Sequence, residues 1–198
     1  MMLLFRLKQW VKTNVKEFAT FCGYFTVGTV ALIAFDNNVA TLRRVEGPSM
    51  CPTLNKNEYK NSKFEDKNPV FVVRDQLSNP DLVICWRKFA PQRGDIVLVV
   101  DPKNPNLYLI KRLIGLPGDT IVPLGVNEVR KDPVRLSGSQ AWVESDAGFG
   151  WKDSNIFGPV HVNSIHGKAT YAVNVMDFSV RSLESIIPSD QLSRLTIS

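Results

Sequence analysis

Histidine and cysteine are scarce in this chain of 198 residues, which limits the chemistry available to it. The histidines are His161 and His166, and the three cysteines, Cys22, Cys51 and Cys85, include no Cys-x-x-Cys pair. A zinc site needs about four such ligands at close spacing, so we expect no metal ion. Three cysteines cannot all pair within the chain. Free thiols are favoured, and a disulfide between Cys51 and Cys85 is the alternative.

Clusters of basic residues are also missing. The chain has 24 Lys and Arg against 19 Asp and Glu, a net charge of +5, but the basic side chains are scattered and not interleaved with aromatic ones. This distribution indicates a mildly basic, solvated surface and no nucleic-acid partner. With 44% hydrophobic and 22% charged residues and no internal repeat, the chain is typical of an ordered protein with one substantial core.

Charge is absent from Phe18 to Phe35, a run of eighteen residues. That length is near the minimum for a helix that crosses the roughly 30 Å hydrocarbon core of a membrane. We therefore predict a transmembrane anchor at 18–35, whose threonines return their hydroxyls to the helix backbone. Two alternatives are a buried core helix and a cleaved secretory signal, although no pattern of small residues typical of a cleavage site precedes Asp36.

A basic segment, residues 1–17, precedes this anchor. Its single acidic residue, Glu17, stands against four basic ones: Arg6, Lys8, Lys12 and Lys16. The positive-inside rule keeps such a segment on its side of the membrane, so residues 36–198 are expected to face the opposite side. Ser49 follows the apolar run by only about thirteen residues and would therefore work close to the membrane surface.

Residues 36–198 show short apolar runs separated by turn signals, which predicts a mainly β domain of sandwich or barrel type. The candidate strands are Val70–Val73, Leu82–Trp86, Ile96–Val100, Leu107–Ile114, Thr120–Val122, Ala141–Glu144 and Lys168–Val175. Polar and charged residues at 55–68 predict a loop, variable to about residue 80. A short helix or a frayed tail is expected at 189–195.

One serine, Ser49, lies in a loop bracketed by Pro48 and Pro52. Each proline fixes its own φ and restricts the residue before it, so Ser49 has few conformations open to it. A hydroxyl becomes a good nucleophile only when a base takes its proton. No Gly-x-Ser-x-Gly elbow surrounds Ser49, and nothing in the spacing favours a histidine base. The structural alternative is an ordinary surface turn.

Lys111 is the candidate base, because it lies in the apolar run Leu107–Ile114. On a strand its neighbours on the same face are Leu109 and Leu113, and burial among them would lower the pKa of the lysine. Arg112 points to the other face and cannot act as a base at neutral pH. The structural alternative is a strand-edge lysine that reaches out to water.

Four segments, taken together and in this order, resemble the type I signal peptidase family. They are Gly-Pro-Ser-Met-Cys-Pro-Thr-Leu at 47–54, Arg-Gly-Asp-Ile-Val at 93–97, Lys-Arg-Leu-Ile-Gly-Leu-Pro-Gly-Asp at 111–119 and Asp-Ser-Asn-Ile-Phe-Gly-Pro-Val at 153–160. The last segment is most similar to the mitochondrial inner membrane peptidase branch of the family, and to its second-subunit type in particular. The resemblance extends over about residues 18–172.

The resemblance implies a membrane-anchored serine endopeptidase with a mainly β catalytic domain and a Ser/Lys dyad. Ser49 would attack the scissile carbonyl, Lys111 would act as general base and then general acid, and Met50 would lie beside the substrate groove. The substrates would be precursors with cleavable sorting signals, delivered to the mitochondrial intermembrane space. The resemblance also implies the inner membrane as location, a homologous peptidase subunit as partner in a heterodimer, and no metal or organic cofactor.

The chain departs from the family pattern at several positions, and two of them bear directly on the reaction. Gly47 stands where bacterial relatives have a serine that donates to the oxyanion, which leaves the backbone N–H of Ser49 as the expected donor. Trp151 stands where the family has a serine that orients the lysine. Ser154 or a backbone carbonyl would then take that role, and Asp153 is expected to pair with Arg112 and brace the site.

Two further functional readings stay open. A secretory or plastid signal peptidase would use the same chemistry in another membrane. A catalytically silent β domain that stabilises a partner peptidase is favoured by the altered fourth segment, in which Ala147 and Trp151 replace the expected residues.

Overall fold

The structure is a computed structural model that describes residues 2–56, 80–125, 131–148 and 150–197. The predicted strand Val70–Val73 and most of the predicted loop at 55–80 lie outside these residues. The contacts of the chain divide between Val39 and Ala40, giving an N-terminal unit and a C-terminal unit that we describe separately.

The N-terminal unit is one long helix, α1, Met2–Asn38. The helix is longer than the predicted span, because it also includes the basic segment before it. It contains one window long and apolar enough to cross a membrane, Ala19–Asp36, with a mean hydropathy of 1.4 and no buried residues. The hydroxyls of Thr26 and Thr29 donate to the carbonyls of Gly23 and Phe25, as predicted. The absence of buried residues in the window Ala19–Asp36 argues against the alternative of a core helix.

The C-terminal unit is mainly β, which confirms the predicted fold class. Its strands are β1 (Ala40–Arg44), β2 (Asp81–Trp86), β3 (Ile96–Asp101), β4 (Asn104–Gly115), β5 (Thr120–Ile121), β6 (Val134–Arg135), β7 (Gln140–Glu144), β8 (Val160–His161), β9 (Ile165–Asn174), β10 (Ser179–Ser182) and β11 (Leu195–Thr196). Two short helices follow β7 and β10, α2 (Ser154–Phe157) and α3 (Ser189–Leu192). The predicted strands from Leu82 onward are present, and α3 confirms the short C-terminal helix.

The larger sheet sets the frame for the site. Its strands follow the order β1-β2-β9-β3-β4-β7-β8, with β10 paired to β9, and a small sheet has the order β11-β5-β6. All pairs are antiparallel. The centre of the larger sheet is β3 and β4, where Ile96 faces Arg112 and Val97 faces Lys111.

The two faces of the larger sheet are both buried at β3 and β4. On one face Val97 and Leu113 pack with Val143 of β7, and on the other Ile96 and Leu98 pack with a cluster that includes residues of the loop after β1. A strand buried on both faces presents successive residues to two cores. Lys111 and Arg112 are therefore both withdrawn from water, on opposite faces of one strand.

Candidate active site

The loop that carries Ser49 is held by its own backbone. The N–H of Cys51 donates to the carbonyl of Pro48 (2.9 Å), and the N–H of Leu54 donates to that of Met50 (2.8 Å). Gly47 has φ of +83°, a conformation that a side chain would strain. Ser49 is half-buried, and its carbonyl accepts from the N–H of Ala147 (3.1 Å). The loop is thus attached to the chain segment after β7.

Asn55 fixes both ends of this loop, a role that the sequence analysis missed. Its side-chain amide donates to the carbonyls of Val45 (3.2 Å) and Gly47 (3.0 Å), and its side-chain oxygen accepts from the N–H of Asp81 (2.8 Å). In return the N–H of Asn55 donates to the carboxylate of Asp81 (2.6 Å). The contacts with Asp81 of β2 join residues far apart in the sequence, so no local pattern predicts them. The only local signal is a small polar residue directly after Leu54.

Strand β4 brings Lys111 to the serine. Nζ of Lys111 lies 2.6 Å from Oγ of Ser49, although 62 positions separate the two residues. Lys111 is only 3% exposed, which excludes the alternative of a lysine that reaches out to water. Burial lowers the pKa of Lys111 to about 8, against a weaker opposing effect from Asp153 and Asp146. With this pKa roughly a tenth of Lys111 is neutral at pH 7, far more than for an ordinary lysine, and a base requires this neutral form.

Arg112 pairs with Asp146, so the predicted pairing with Asp153 is wrong. Nε and Nη2 of Arg112 donate to the two carboxylate oxygens of Asp146 at 2.7 and 2.6 Å, and Nη1 donates to the carbonyl of Gly94 (2.7 Å). The same carboxylate accepts from the hydroxyl of Thr53 (2.6 Å). This buried ion pair therefore ties β4 to the serine loop from the face opposite Lys111.

Asp153 and Ser154 hold the turn between β7 and α2. The carboxylate of Asp153 accepts from the N–H of Asn155 (3.0 Å), as the N-cap of α2, and from the N–H of Ser145 (2.9 Å). Burial raises the pKa of Asp153. Oγ of Ser154 accepts from the N–H of Val143 (3.0 Å) and makes no hydrogen bond to Lys111. The side chain of Ser154 thus satisfies a backbone N–H of β7.

A cleft of about 290 Å³ opens beside the serine and lysine, between the end of β1 and strand β4. Its lining includes Ser49 and Lys111 together with Arg43, Val45, Tyr108 and Ile110. Met50 also contributes to the lining, but it is only 1% exposed and packs mainly in the core with Val45. The cleft is accordingly a place where an extended chain could approach Ser49.

The remaining reactive side chains do not compete with Ser49. All three cysteines are free, and burial raises the pKa of the Cys85 thiol to about 12, so it stays protonated at neutral pH. Among the residues that the structure describes, no group of His, Cys, Asp and Glu is arranged to hold a metal ion. What the site offers chemically is a hydroxyl in contact with a buried amine of lowered pKa, the arrangement of an activated nucleophile.

Comparison with known proteins gives the family. Residues 17–141 match the model of the family described as signal peptidase, peptidase S26. The chain is 36% identical over 162 residues to mitochondrial inner membrane protease subunit 2 of Danio rerio, covering 80% of this chain and 77% of that protein. It is 35% identical over 176 residues to subunit 2 of Mus musculus (88% and 89%). It is 29% identical over 146 residues to subunit 1 of Mus musculus (74% and 76%).

The chain belongs to the signal peptidase family S26. Membership makes it a hydrolase of the serine peptidase class. The relatives are named as subunits of a mitochondrial inner membrane protease, and both subunit types are similar to this chain.

Proposed function

We propose that the chain is a membrane-anchored serine endopeptidase that removes sorting peptides from precursors by a Ser49–Lys111 dyad. The observation that carries the proposal is the 2.6 Å separation of Ser49 Oγ and Lys111 Nζ, with the lysine buried and its pKa lowered. Burial of a basic side chain costs free energy. In this site the buried amine of Lys111 is in contact with the hydroxyl of Ser49. The family of the chain agrees with this chemistry.

In the proposed mechanism neutral Lys111 takes the hydroxyl proton of Ser49 while Oγ bonds to the scissile carbonyl carbon. The electron pair of the C=O double bond moves to the oxygen, and the backbone N–H of Ser49 donates to this oxyanion. That N–H makes no hydrogen bond with any residue that the structure describes, so it is available. The C–N bond then breaks, and the leaving amine takes the proton from Lys111.

The second half of the proposed reaction releases the ester. A water molecule gives a proton to neutral Lys111 and attacks the ester carbonyl, and Ser49 leaves with that proton returned to its oxygen. No cofactor is needed for either half. Met50 would support the groove from within the core, while Arg112, Asp153 and Ser154 would support the serine loop and the segment after β7 without touching substrate.

The proposed activity should depend on pH through Lys111. Only the neutral amine can act as base, so kcat/KM should fall about tenfold per pH unit below an inflection near the Lys111 pKa of about 8. The measurement is kcat/KM for a precursor peptide without groups that titrate between pH 6 and 10. Substitution of the exposed Lys103 by Met should leave the inflection unchanged. Constant kcat/KM between pH 8 and 6 would contradict a lysine base.

We further propose that helix α1 anchors the chain in the mitochondrial inner membrane, with residues 18–35 spanning, 1–17 in the matrix and 36–198 in the intermembrane space. The charge-free window in α1 and the basic residues before it support this orientation. The names of the relatives support the membrane, and their two subunit types support a heterodimer with a homologous subunit. The substrates would be precursors with sorting signals that reach the same compartment.

This location predicts a specific fractionation result. A C-terminally tagged chain should resist alkaline extraction from mitochondrial membranes, and protease should remove the tag only after the outer membrane is opened. A homologous S26 subunit should copurify with it in detergent. The variant Val30→Arg, which places a charge in the apolar window, should reduce retention in the membrane. A tag that is protected until the inner membrane is lysed would reverse the proposed orientation.

A further inference from the structure

Ser145 has a buried hydroxyl without a hydrogen-bond partner. The residue follows β7 and is 1% exposed, and its Oγ bonds to none of the residues that the structure describes. Its backbone is fully used, because the N–H donates to Asp153 (2.9 Å) and the carbonyl accepts from Gln191 (3.0 Å). A buried polar atom without a partner is unfavourable and uncommon, so this hydroxyl requires a physical explanation.

The register of β4 and β7 places Ser145 next to Lys111. Arg112 pairs with Glu144 and Leu113 with Val143 in this antiparallel pair. Continuing the register by one residue sets Ser145 opposite Lys111. Because side chains alternate along a strand, Ser145 shares the face of Val143 and Lys111, whereas Glu144 and Arg112 occupy the other face.

The hydrogen bonds of β7 indicate how close the two side chains are. The N–H groups of Val143 and Ser145 bond away from β4, to Ser154 and Asp153. Residues that point their backbone groups away from the partner strand form the narrow type of antiparallel pair, with Cα atoms about 4.5 Å apart. Directly opposite side chains in such a pair lie within contact range.

The side chains of Asp153 and Ser154, in the segment after β7, bond to backbone groups and make no hydrogen bond to Lys111. Oγ of Ser154 accepts from Val143, and the carboxylate oxygens of Asp153 accept from two backbone N–H groups. The indole of Trp151 can donate but not accept. Asp153 and Asp146 are the charged groups that act on Lys111, at longer range than a hydrogen bond.

We propose that Ser145 is a positioning residue for Lys111, whose hydroxyl oxygen accepts a hydrogen bond from the Lys111 ammonium. This inference rests on the proposed dyad. When Lys111 takes the proton of Ser49, the ammonium has three N–H groups. One is directed to Ser145, which leaves another directed at the substrate nitrogen. In the neutral amine the same contact directs the lone pair toward Ser49. Ser145 thereby takes the orienting role expected of Ser154.

The test is the kinetics of Ser145→Ala in the full-length chain, in the assembly purified from membranes. We expect kcat to fall about 10- to 100-fold, the range for loss of one hydrogen bond to a charged group, with KM little changed. The inflection in kcat/KM should move to lower pH, because removal of an acceptor for the ammonium favours the neutral amine. Thermal stability at pH 7 should fall modestly, because the variant loses one hydrogen bond to the Lys111 ammonium.

Two variants complete the test. Ser145→Thr keeps the hydroxyl and should retain kcat within about threefold of the wild type. Thr170→Val removes another buried unpartnered hydroxyl, on β9, and should change neither kcat nor the inflection. Wild-type kinetics in Ser145→Ala, or equal losses in the Ala and Thr variants, would overturn the positioning role. Failure of the dyad itself would appear differently, as retained cleavage in Ser49→Ala or Lys111→Ala.

Discussion

Ser49→Ala and Lys111→Met should each lower the rate of precursor cleavage by about a thousandfold or more, because each removes one half of a nucleophile–base pair. The effects should not add in the double variant, since the two groups act as a unit through one contact of 2.6 Å. Lys111→Arg should be equally inactive, because a guanidinium cannot give up its proton at neutral pH. The measurement is single-turnover cleavage of a precursor by the purified assembly.

Loss of folding can be separated from loss of chemistry in these variants. The pKa of Lys111 is about 8 in the folded chain and about 10.5 for a solvated lysine, so between these pH values the unfolded chain binds more protons and stability rises with pH. Below pH 8 the folded chain carries the full cost of a buried ammonium. Lys111→Met removes that cost and should raise the free energy of unfolding at pH 7 by up to about 3 kcal/mol. An inactive variant that is also less stable would contradict this account.

Matched controls test whether the effect belongs to the dyad. Ser137→Ala and Lys103→Met change exposed residues of the same types and should cleave at the wild-type rate. An acylating serine reagent should label Ser49 in the wild type and not in Lys111→Met. Absence of labelling in an intact wild-type assembly, together with normal cleavage in Ser49→Ala, would instead favour the silent subunit that stabilises a partner peptidase.

The sequence alone could predict the contact between Ser49 and Lys111, but not the support around it. The two residues are marked by local features, a proline-bracketed loop and a lysine in an apolar strand. Asp146 could not be assigned to Arg112, because the choice between it and Asp153 depends on which face of the sheet the chain follows after β7. Trp142, Glu144 and Asp146 lie on the same face of the sheet as Arg112. Asp153 lies further along the chain, where its carboxylate caps α2.

Strand prediction succeeded for most strands of five or more residues and, among the two-residue strands, only for β5. Strands β3, β4 and β9 have apolar runs that fix them locally. The two-residue strands β6, β8 and β11 exist only because a partner strand pairs with them, so no local pattern indicates them. Strand β1 has three polar residues among five and was missed for the same reason. The length of α1 was underestimated, because the basic residues before the apolar run are good helix formers.

The second large effect is expected from Arg112→Met, which leaves the carboxylate of Asp146 buried without its partner. Both side chains are about 4% exposed or less, and breaking such a pair by removing one member costs about 3–5 kcal/mol of stability. The cost should be smaller in the double variant Arg112→Met/Asp146→Asn, because the remaining amide is uncharged. Chemical denaturation of the wild type and the two variants measures both values.

The ion pair should also affect catalysis, because it connects to the serine loop through Thr53 and to the carbonyl of Ser49 through the neighbouring Ala147. Arg112→Lys keeps the charge but loses the two-point contact, so kcat should fall while most of the stability remains. The matched control is the pair Arg93–Asp119, in which Arg93 is 29% exposed. Arg93→Met should cost less stability and leave kcat unchanged, because this pair does not touch the serine loop. Equal losses of kcat in Arg112→Lys and Arg93→Met would show that the buried pair stabilises the sheet without positioning Ser49.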